Sequence, residues 1–223
     1  MSIVHVSSSL SRNMSKKLEK SITPRRQPKQ ARSQERVQHI LDVAEQLFIE
    51  LGYEQTTTRA IAARANVPIG SVYQFFPDKA ALLEALADRY FAQEYQLFVQ
   101  LQAELETAPI AEYVNRMVDA FDQFVMDHPG YQAVLAQMID LMTVADAANY
   151  NEYDQQVLVG LAQFLARRNP SLSATKCNLI ATTALKTVNE LLWLSLTRDR
   201  EFRLQMIAEA KILLTAYLQT YQI

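Results

Sequence analysis

The chain has 223 residues, a formal net charge of −2, 49% hydrophobic residues, four glycines and one cysteine, Cys177. It is long enough to bury a core, and too apolar and too poor in glycine for a disordered or sheet-rich chain. A lone cysteine excludes an intramolecular disulfide framework and fits a reducing compartment. No run of 18 apolar residues occurs, and the N-terminal MSIVHVSSSLSRN lacks the apolar region and cleavage site of a signal peptide, so neither membrane spanning nor secretion is expected and the protein is assigned to the cytoplasm.

Charge is unevenly distributed. Residues 1–79 carry 12 Lys and Arg against 7 Asp and Glu, whereas residues 80–223 carry 10 against 17. A basic front and an acidic rear suggest that the front meets a polyanion. Residues 1–30 are rich in Ser, Lys, Arg, Gln and Pro and show no period, so a disordered basic arm is expected there. Arg25, Arg26, Lys29 and Arg32 lead into the first helix, either to reach along a groove or phosphate backbone or simply to solubilise the chain. Met14 offers a second start, which would make residues 1–13 an extension.

From about Gln34 to Leu51 the positions Val37, Ile40, Leu41, Ala44, Leu47, Phe48 and Leu51 recur at steps of three and four, predicting one amphipathic helix closed by Gly52. His39 falls off that stripe and reads as a solvated residue. Thr57 precedes the apolar repeat Ile61, Ala62, Ala65 and is assigned as an N-cap. This second helix stops near Asn66, which tolerates the left-handed conformation a sharp reversal needs. A third helix is predicted from Pro68 to about Phe75. Two short helices about a tight break form a helix-turn-helix, whose second helix enters the DNA major groove.

With Val72 and Phe76 buried, that second helix presents Ile69, Gly70, Ser71, Tyr73 and Gln74. Gln pairs with an adenine edge, Ser and Tyr bond phosphates or bases, and Ile meets a thymine methyl. Gly70 either permits close approach to DNA or serves a helix–helix contact. Asp78 is positioned to cap the next helix, with Lys79 in its first turn facing a phosphate.

The quoted residues carry a family resemblance. Gly52-Tyr53, Thr56-Thr57, Ile61-Ala62, Ala65-Asn66-Val67, Gly70-Ser71-Val72-Tyr73, Phe75-Phe76 and Lys79 follow the order and spacing of the DNA-binding domain of the tetracycline-repressor (TetR) family, over about Arg32 to Leu86. Asn66 stands where the family usually has glycine, and Pro68 where it has a Ser/Thr cap. The resemblance implies that Thr57, Arg59, Tyr73 and Lys79 grip phosphates of a double-stranded DNA operator, while Ile69, Gly70, Ser71 and Gln74 lie on bases.

Beyond Lys79 further helical patterns follow: a long one to before Pro109, then about 110–126 closed by His128-Pro129-Gly130, 131–144, 152–168, Ser173 to Thr197 and Arg200 to Tyr221. The resulting expectation is an all-α fold of about nine helices, with a disordered basic arm at 1–30, a three-helix DNA-binding domain at 31–79 and a ligand-binding and dimerisation domain at 80–223. No HExxH, CxxC, Walker or dinucleotide-binding pattern occurs, and His5, His39 and His128 lack metal-ligand spacing, so neither an enzyme nor a cofactor is expected.

Tyr95, Phe98, Met117, Phe121, Phe124, Met138, Met142 and Trp193 are either ordinary core or the lining of an adaptable apolar cavity. Asn189 and Glu190 interrupt a Leu-rich run and are candidate polar anchors. The resemblance implies a small apolar or amphipathic ligand in this region. Apolar residues spread around most of the last two helices, which requires burial on two sides. In the family this second side is a homodimer interface; a larger internal core is the alternative. The expected function is a homodimeric regulator, most simply a repressor released from a near-palindromic operator by its ligand. The competing reading is an all-helical interaction or scaffold protein without ligand control.

Overall fold

The computed structural model describes residues 31–141 and 152–223, which form nine helices and no strand. In chain order they are α1 (Ala31–Leu51), α2 (Thr58–Arg64), α3 (Ile69–Phe75), α4 (Lys79–Glu104), α5 (Ile110–Asp127), α6 (Pro129–Leu141), α7 (Glu152–Arg168), α8 (Ala174–Ser195) and α9 (Arg200–Gln219). The basic arm at 1–30 and Met142 lie outside the described residues.

Two compact units result, and they divide the chain differently from the expected break after residue 79. The described part of unit 1 is residues 31–90 with Pro129–Leu141, and that of unit 2 is Phe91–His128 with residues 152–223. Unit 1 thus takes in the first turns of α4 and all of α6. The reason is a contact that sequence periodicity does not announce: α6 packs on α1.

Within unit 1, α1 buries Val37, Ile40, Leu41, Ala44, Leu47 and Phe48, the expected stripe, whereas Leu51 is exposed. Leu51 is the last helical residue before Gly52, which turns the chain away at φ 79°. Val43 is buried off the stripe, one turn on from His39. His39 is not simply solvated, because its Nε2 lies 3.0 Å from the Ala65 carbonyl and ties α1 to the end of α2. Helix α1 starts at Ala31, so Arg32 belongs to its first turn rather than to the segment before it.

Pro129 and Gly130, expected to close the preceding helix, instead open α6. Proline is tolerated at a first helical position because its absent N–H has no partner there. Gly130 is required for packing. A Cβ at this position would overlap the Glu45 carboxylate and crowd the Tyr90 hydroxyl. Those groups are already engaged: Tyr90 donates to Glu45 Oε1, Arg89 pairs with Glu45 Oε2, and Arg89 reaches Asp42 at 2.6 Å. The Tyr90 and Tyr131 rings lie 4.9 Å apart beside them. Burial, then the hydrogen bond and charge of Glu45, push the Tyr90 phenol above its usual range, so it remains a donor.

In unit 2, α8 packs on both α7 and α9, and α9 packs on α5. The core includes Leu101, Leu105, Val114, Phe164, Leu165, Ile180, Ala184 and Leu214, with Tyr113 stacked on Phe164 at 4.3 Å. Arg203–Asp122 and Lys211–Asp119 ion pairs fix α9 to α5, the first with both side chains largely buried. Ser173 caps α8, its Oγ accepting from Lys176 N at 3.2 Å. Cys177 is buried and free.

Gly130→Ala is expected to destabilise the protein by about 1–3 kcal/mol in chemical denaturation, the cost of parting a half-buried acceptor from its donors. Helix propensity alone would change stability by about 1 kcal/mol in the opposite direction. Repeating the substitution in a Glu45→Ala background is expected to remove most of the loss. Equal losses in both backgrounds would show that the carboxylate is not what Gly130 accommodates.

Candidate nucleic-acid interface

The candidate reading surface is built by two short helices and the turn between them. Thr57 caps α2 from extended backbone, its Oγ1 accepting from Ala60 N at 3.1 Å. At the other end, Asn66 sits at φ 52° in the left-handed region. There Val67 N donates to Ala62 O at 3.0 Å and Asn66 N to Ala63 O at 3.2 Å. This pair of bonds is the Schellman closure, which needs one left-handed residue and accepts asparagine in place of glycine. The chain reverses sharply enough for α3 to begin at Ile69, after Pro68 at the N-cap without a side-chain hydrogen bond. Ser71 N bonds Pro68 O at 2.8 Å, so the first turn is closed by backbone alone.

Helix α3 is anchored by Val72 and Phe75, with Phe76 just beyond it; all are at most 1% exposed. The opposite side carries Ile69, Gly70, Tyr73 and Gln74, all exposed, with Ser71 half-buried. A Cβ built on Gly70 meets nothing within 4 Å. The helix–helix explanation for this glycine therefore has no contact to support it among the described residues. What remains at Gly70 is a bare stretch of helix backbone open to a large partner.

Polar groups frame this surface. Tyr73 OH lies 3.1 Å from Thr58 Oγ1, which steadies the exposed phenol across the turn. Arg59 is exposed and makes no ion pair among the described residues, whereas Arg64 is held by Glu50 at 2.5 Å. Only the first of these guanidiniums is therefore unengaged.

Lys79 has a structural role that sequence spacing did not reveal. Its Nζ donates to Tyr53 O at 2.6 Å and to Glu54 O at 3.3 Å, and lies 4.0 Å from the centre of the Tyr53 ring. A cation at a helix N-terminus is unfavourable by itself. Two carbonyls and an aromatic face offset that here, and Asp78 caps the same helix by accepting from Ala81 N at 2.8 Å. Burial, followed by the charges of Asp78, Glu54 and Glu84, raises the Tyr53 hydroxyl pKa, so the ring stays neutral. An ammonium has three donors, which leaves one for an external anion. Thr56, fully buried, closes the same loop by sharing its one hydroxyl proton between Gly52 O at 2.8 Å and Leu47 O at 3.1 Å.

The residues considered for a ligand are more scattered. Phe98 and Met117 belong to the buried core of unit 2, with Tyr95 and Phe121 partly buried against it. Phe124, Asn189 and Trp193 are half-buried and Glu190 is exposed. Met138 lies on α6, in unit 1. A recess of about 340 Å³ is lined by Ala62, Ala63, Asn66, Val67 and Pro68, at the turn between the two short helices and remote in sequence from these residues. On α8 and α9, Leu179, Leu194, Leu204, Ile212 and Leu213 are 44–63% exposed, a concentration of large apolar side chains at the surface of unit 2. No described helix is long and apolar enough to cross a membrane, and no cluster of metal-ligating side chains occurs among the described residues.

Residues 40–86 match the family model "Bacterial regulatory proteins, tetR family", and residues 109–218 match "Tetracyclin repressor-like, C-terminal domain". The chain is 29% identical over 126 residues to the HTH-type transcriptional repressor KstR of Mycobacterium tuberculosis, covering 54% of this chain and 53% of that one. The chain spans about a third to a half of the length of the curated relatives it matches. A TetR-family transcriptional regulator from Streptomyces coelicolor superposes with a TM-score of 0.62 at 25% identity, over 83% of this chain and 99% of that one. The fold is also that of SmeT in a SmeT–triclosan complex, with a TM-score of 0.59 at 22% identity over 83% and 90% of the two chains.

Lys79→Met is expected to lower stability by about 1–3 kcal/mol in the absence of DNA, through loss of charged hydrogen bonds and the ring contact. Gly70→Ala is expected to leave stability unchanged or raised by up to about 1 kcal/mol while weakening DNA binding. A Gly70→Ala protein that unfolds earlier than the parent in a thermal melt would refute the open-backbone account.

Proposed function

The chain belongs to the TetR family of transcriptional regulators, and from that premise we propose that it is a cytoplasmic, homodimeric repressor that leaves a near-palindromic operator when a small apolar or amphipathic ligand binds unit 2. The observation that carries the DNA reading is the surface of α3. Its backbone is bare at Gly70, flanked by Ile69 and Gln74, and framed by Tyr73, held by Thr58, and by the unengaged Arg59.

In the proposed complex α3 lies in the major groove, where a helix fits with its side chains against base edges. Gln74 reads an adenine, Ile69 meets a thymine methyl, and Ser71 reaches a base or phosphate from its half-buried position. Thr57, Arg59 and Tyr73 engage phosphates, with Lys79 offering its remaining donor. The homodimer is supported by the exposed apolar residues of α8 and α9. A two-fold pair would bury them and would match two operator half-sites. The ligand reading is supported by the family and by the half-buried aromatics of unit 2. SmeT, which shares the fold, forms a complex with triclosan. A ligand acts here only through different affinities for the two states of the protein. Helix α4 is the proposed lever, because its backbone runs unbroken from Lys79 in unit 1 to Glu104 in unit 2.

Selection from a random DNA pool should return a two-fold symmetric site with half-sites about one helical turn apart. Arg59→Ala and Tyr73→Ala should weaken binding to selected and random DNA alike and reduce the salt slope by about one each. Gln74→Ala should relax preference at a defined base position by about 1–3 kcal/mol. Ile212→Glu combined with Leu213→Glu should give a monomer by light scattering. A parent protein that is monomeric at micromolar concentration, or that shows no salt-sensitive DNA affinity, would refute the proposal in favour of a helical interaction protein.

A further inference from the structure

We propose that Gln102, on α4 in unit 2, is a hydrogen-bond acceptor for a ligand bearing a hydroxyl or N–H group, an inference that rests on the ligand control proposed above. Gln102 is 8% exposed. Its Nε2 donates to the Gly160 carbonyl of α7 at 3.2 Å, while its Oε1 is buried with no hydrogen-bond partner among the described residues. A carbonyl only accepts, so the amide nitrogen must face Gly160 and the oxygen must be the group left over. A primary amide can donate two hydrogen bonds and accept two; this one makes a single bond among the described residues. A Met or Leu would occupy such a position without an unpaired acceptor. An incoming donor satisfies the oxygen, and apolar pockets with a few placed polar groups gain their selectivity in this way.

Gly160 is the second observation. It lies inside α7, where glycine is poorly suited to a helix. A Cβ there would stand 3.0 Å from Phe98 Cε1 and 3.7 Å from Gln102 Oε1. The missing side chain therefore leaves the Phe98 ring and the unpaired oxygen side by side against the α7 backbone. Phe98 and Gln102 occupy the space that a side chain at residue 160 would need, and Gly160 itself is half-exposed, so the pair lies close to the surface of unit 2 rather than deep in its core.

A ring beside one acceptor selects a chemical class. It suits an amphipathic molecule with an aromatic or aliphatic body and a single donor, such as a phenol, an alcohol or an ammonium. Ethers, ketones and esters present only acceptors and leave Oε1 unpaired, and a carboxylate would be repelled by it. Gln102 thus distinguishes molecules of the same shape by whether they can donate.

The test uses two matched pairs, triclosan with its O-methyl ether and 1-naphthol with 1-methoxynaphthalene, titrated calorimetrically into the full chain. The phenol of at least one pair should bind the parent protein ~10-fold or more tightly than its ether, because a site that presents an unpaired polar group rejects an analogue unable to pair with it. In Gln102→Met that preference should disappear with ether affinity unchanged. Gln102→Asn, which keeps the amide but withdraws it, should also lose the preference and serves if the Met variant does not fold. Equal binding of phenol and ether, or a preference that survives both variants, overturns the assignment of Gln102 while leaving ligand control intact. Failure of all four probes to bind the parent also overturns the inference for this class. Operator release by any other small molecule then decides the ligand reading separately.

Discussion

A single carboxylate, that of Glu45, sets the frame on which the reading surface is mounted. It accepts from Tyr90 and Arg89 of α4 and lies directly against Gly130 of α6, so two segments far apart in sequence converge on one side of α1. Helices α2 and α3 pack on each other, and α2 packs on α1, so the placement of α3 depends on α1 being held. A half-buried carboxylate is tolerable only with its hydrogen-bonding partners present. Here those partners come from α4, and the close approach they need is possible only because residue 130 has no side chain. The interaction thus makes α6, which follows α5 directly in the chain, part of the same compact unit as the helix-turn-helix.

Much of unit 1 was legible in the sequence because its determinants are local. A threonine before an apolar repeat, an asparagine at the reversal and an aspartate before α4 each act on backbone groups within a few residues, and each is found doing so. The stripe of α1 was legible for the same reason. What spacing could not show were the long-range partners. Lys79 is 26 residues from the carbonyl it binds most closely, and Glu45 is 44 and 45 residues from Arg89 and Tyr90. Pro129-Gly130 was ambiguous for a different reason. Both residues can end a helix, proline can equally open one, and spacing alone does not decide between the two.

Unit 2 was less legible because its candidates for ligand contact are chemically the same as core residues. Aromatic and Met side chains at helical spacing identify burial but not what they are buried against. Phe98 and Met117 lie in the core, while Tyr95 and Phe121 are only partly covered beside it. The informative residue was a polar one, Gln102, hidden in the stretch Gln100-Leu101-Gln102-Ala103-Glu104, where it reads as one more solvated side chain. The signal that could have found it is Gly160, a glycine within a helical pattern, which points to a close approach by something else.

The reading surface itself implies how recognition is divided in the proposed complex. Lys79 spends two of its donors within the protein and Arg64 is committed to Glu50, so phosphate binding falls largely on Arg59, Tyr73 and the backbone around them. A pair of hydrogen bonds from Gln74 and a methyl contact from Ile69 specify only a few base pairs, each worth about 1–3 kcal/mol. Such a surface on one chain cannot select a single site among the many a genome offers. Two copies related by a two-fold axis double the base contacts and add the geometric demand of fixed half-site spacing. In such a proposed dimer selectivity would depend on the distance between two α3 helices, and DNA binding would be sensitive to small displacements of the frame that Glu45 holds. In the proposed complex the same dependence would give the proposed ligand a physical means of control without touching the DNA surface.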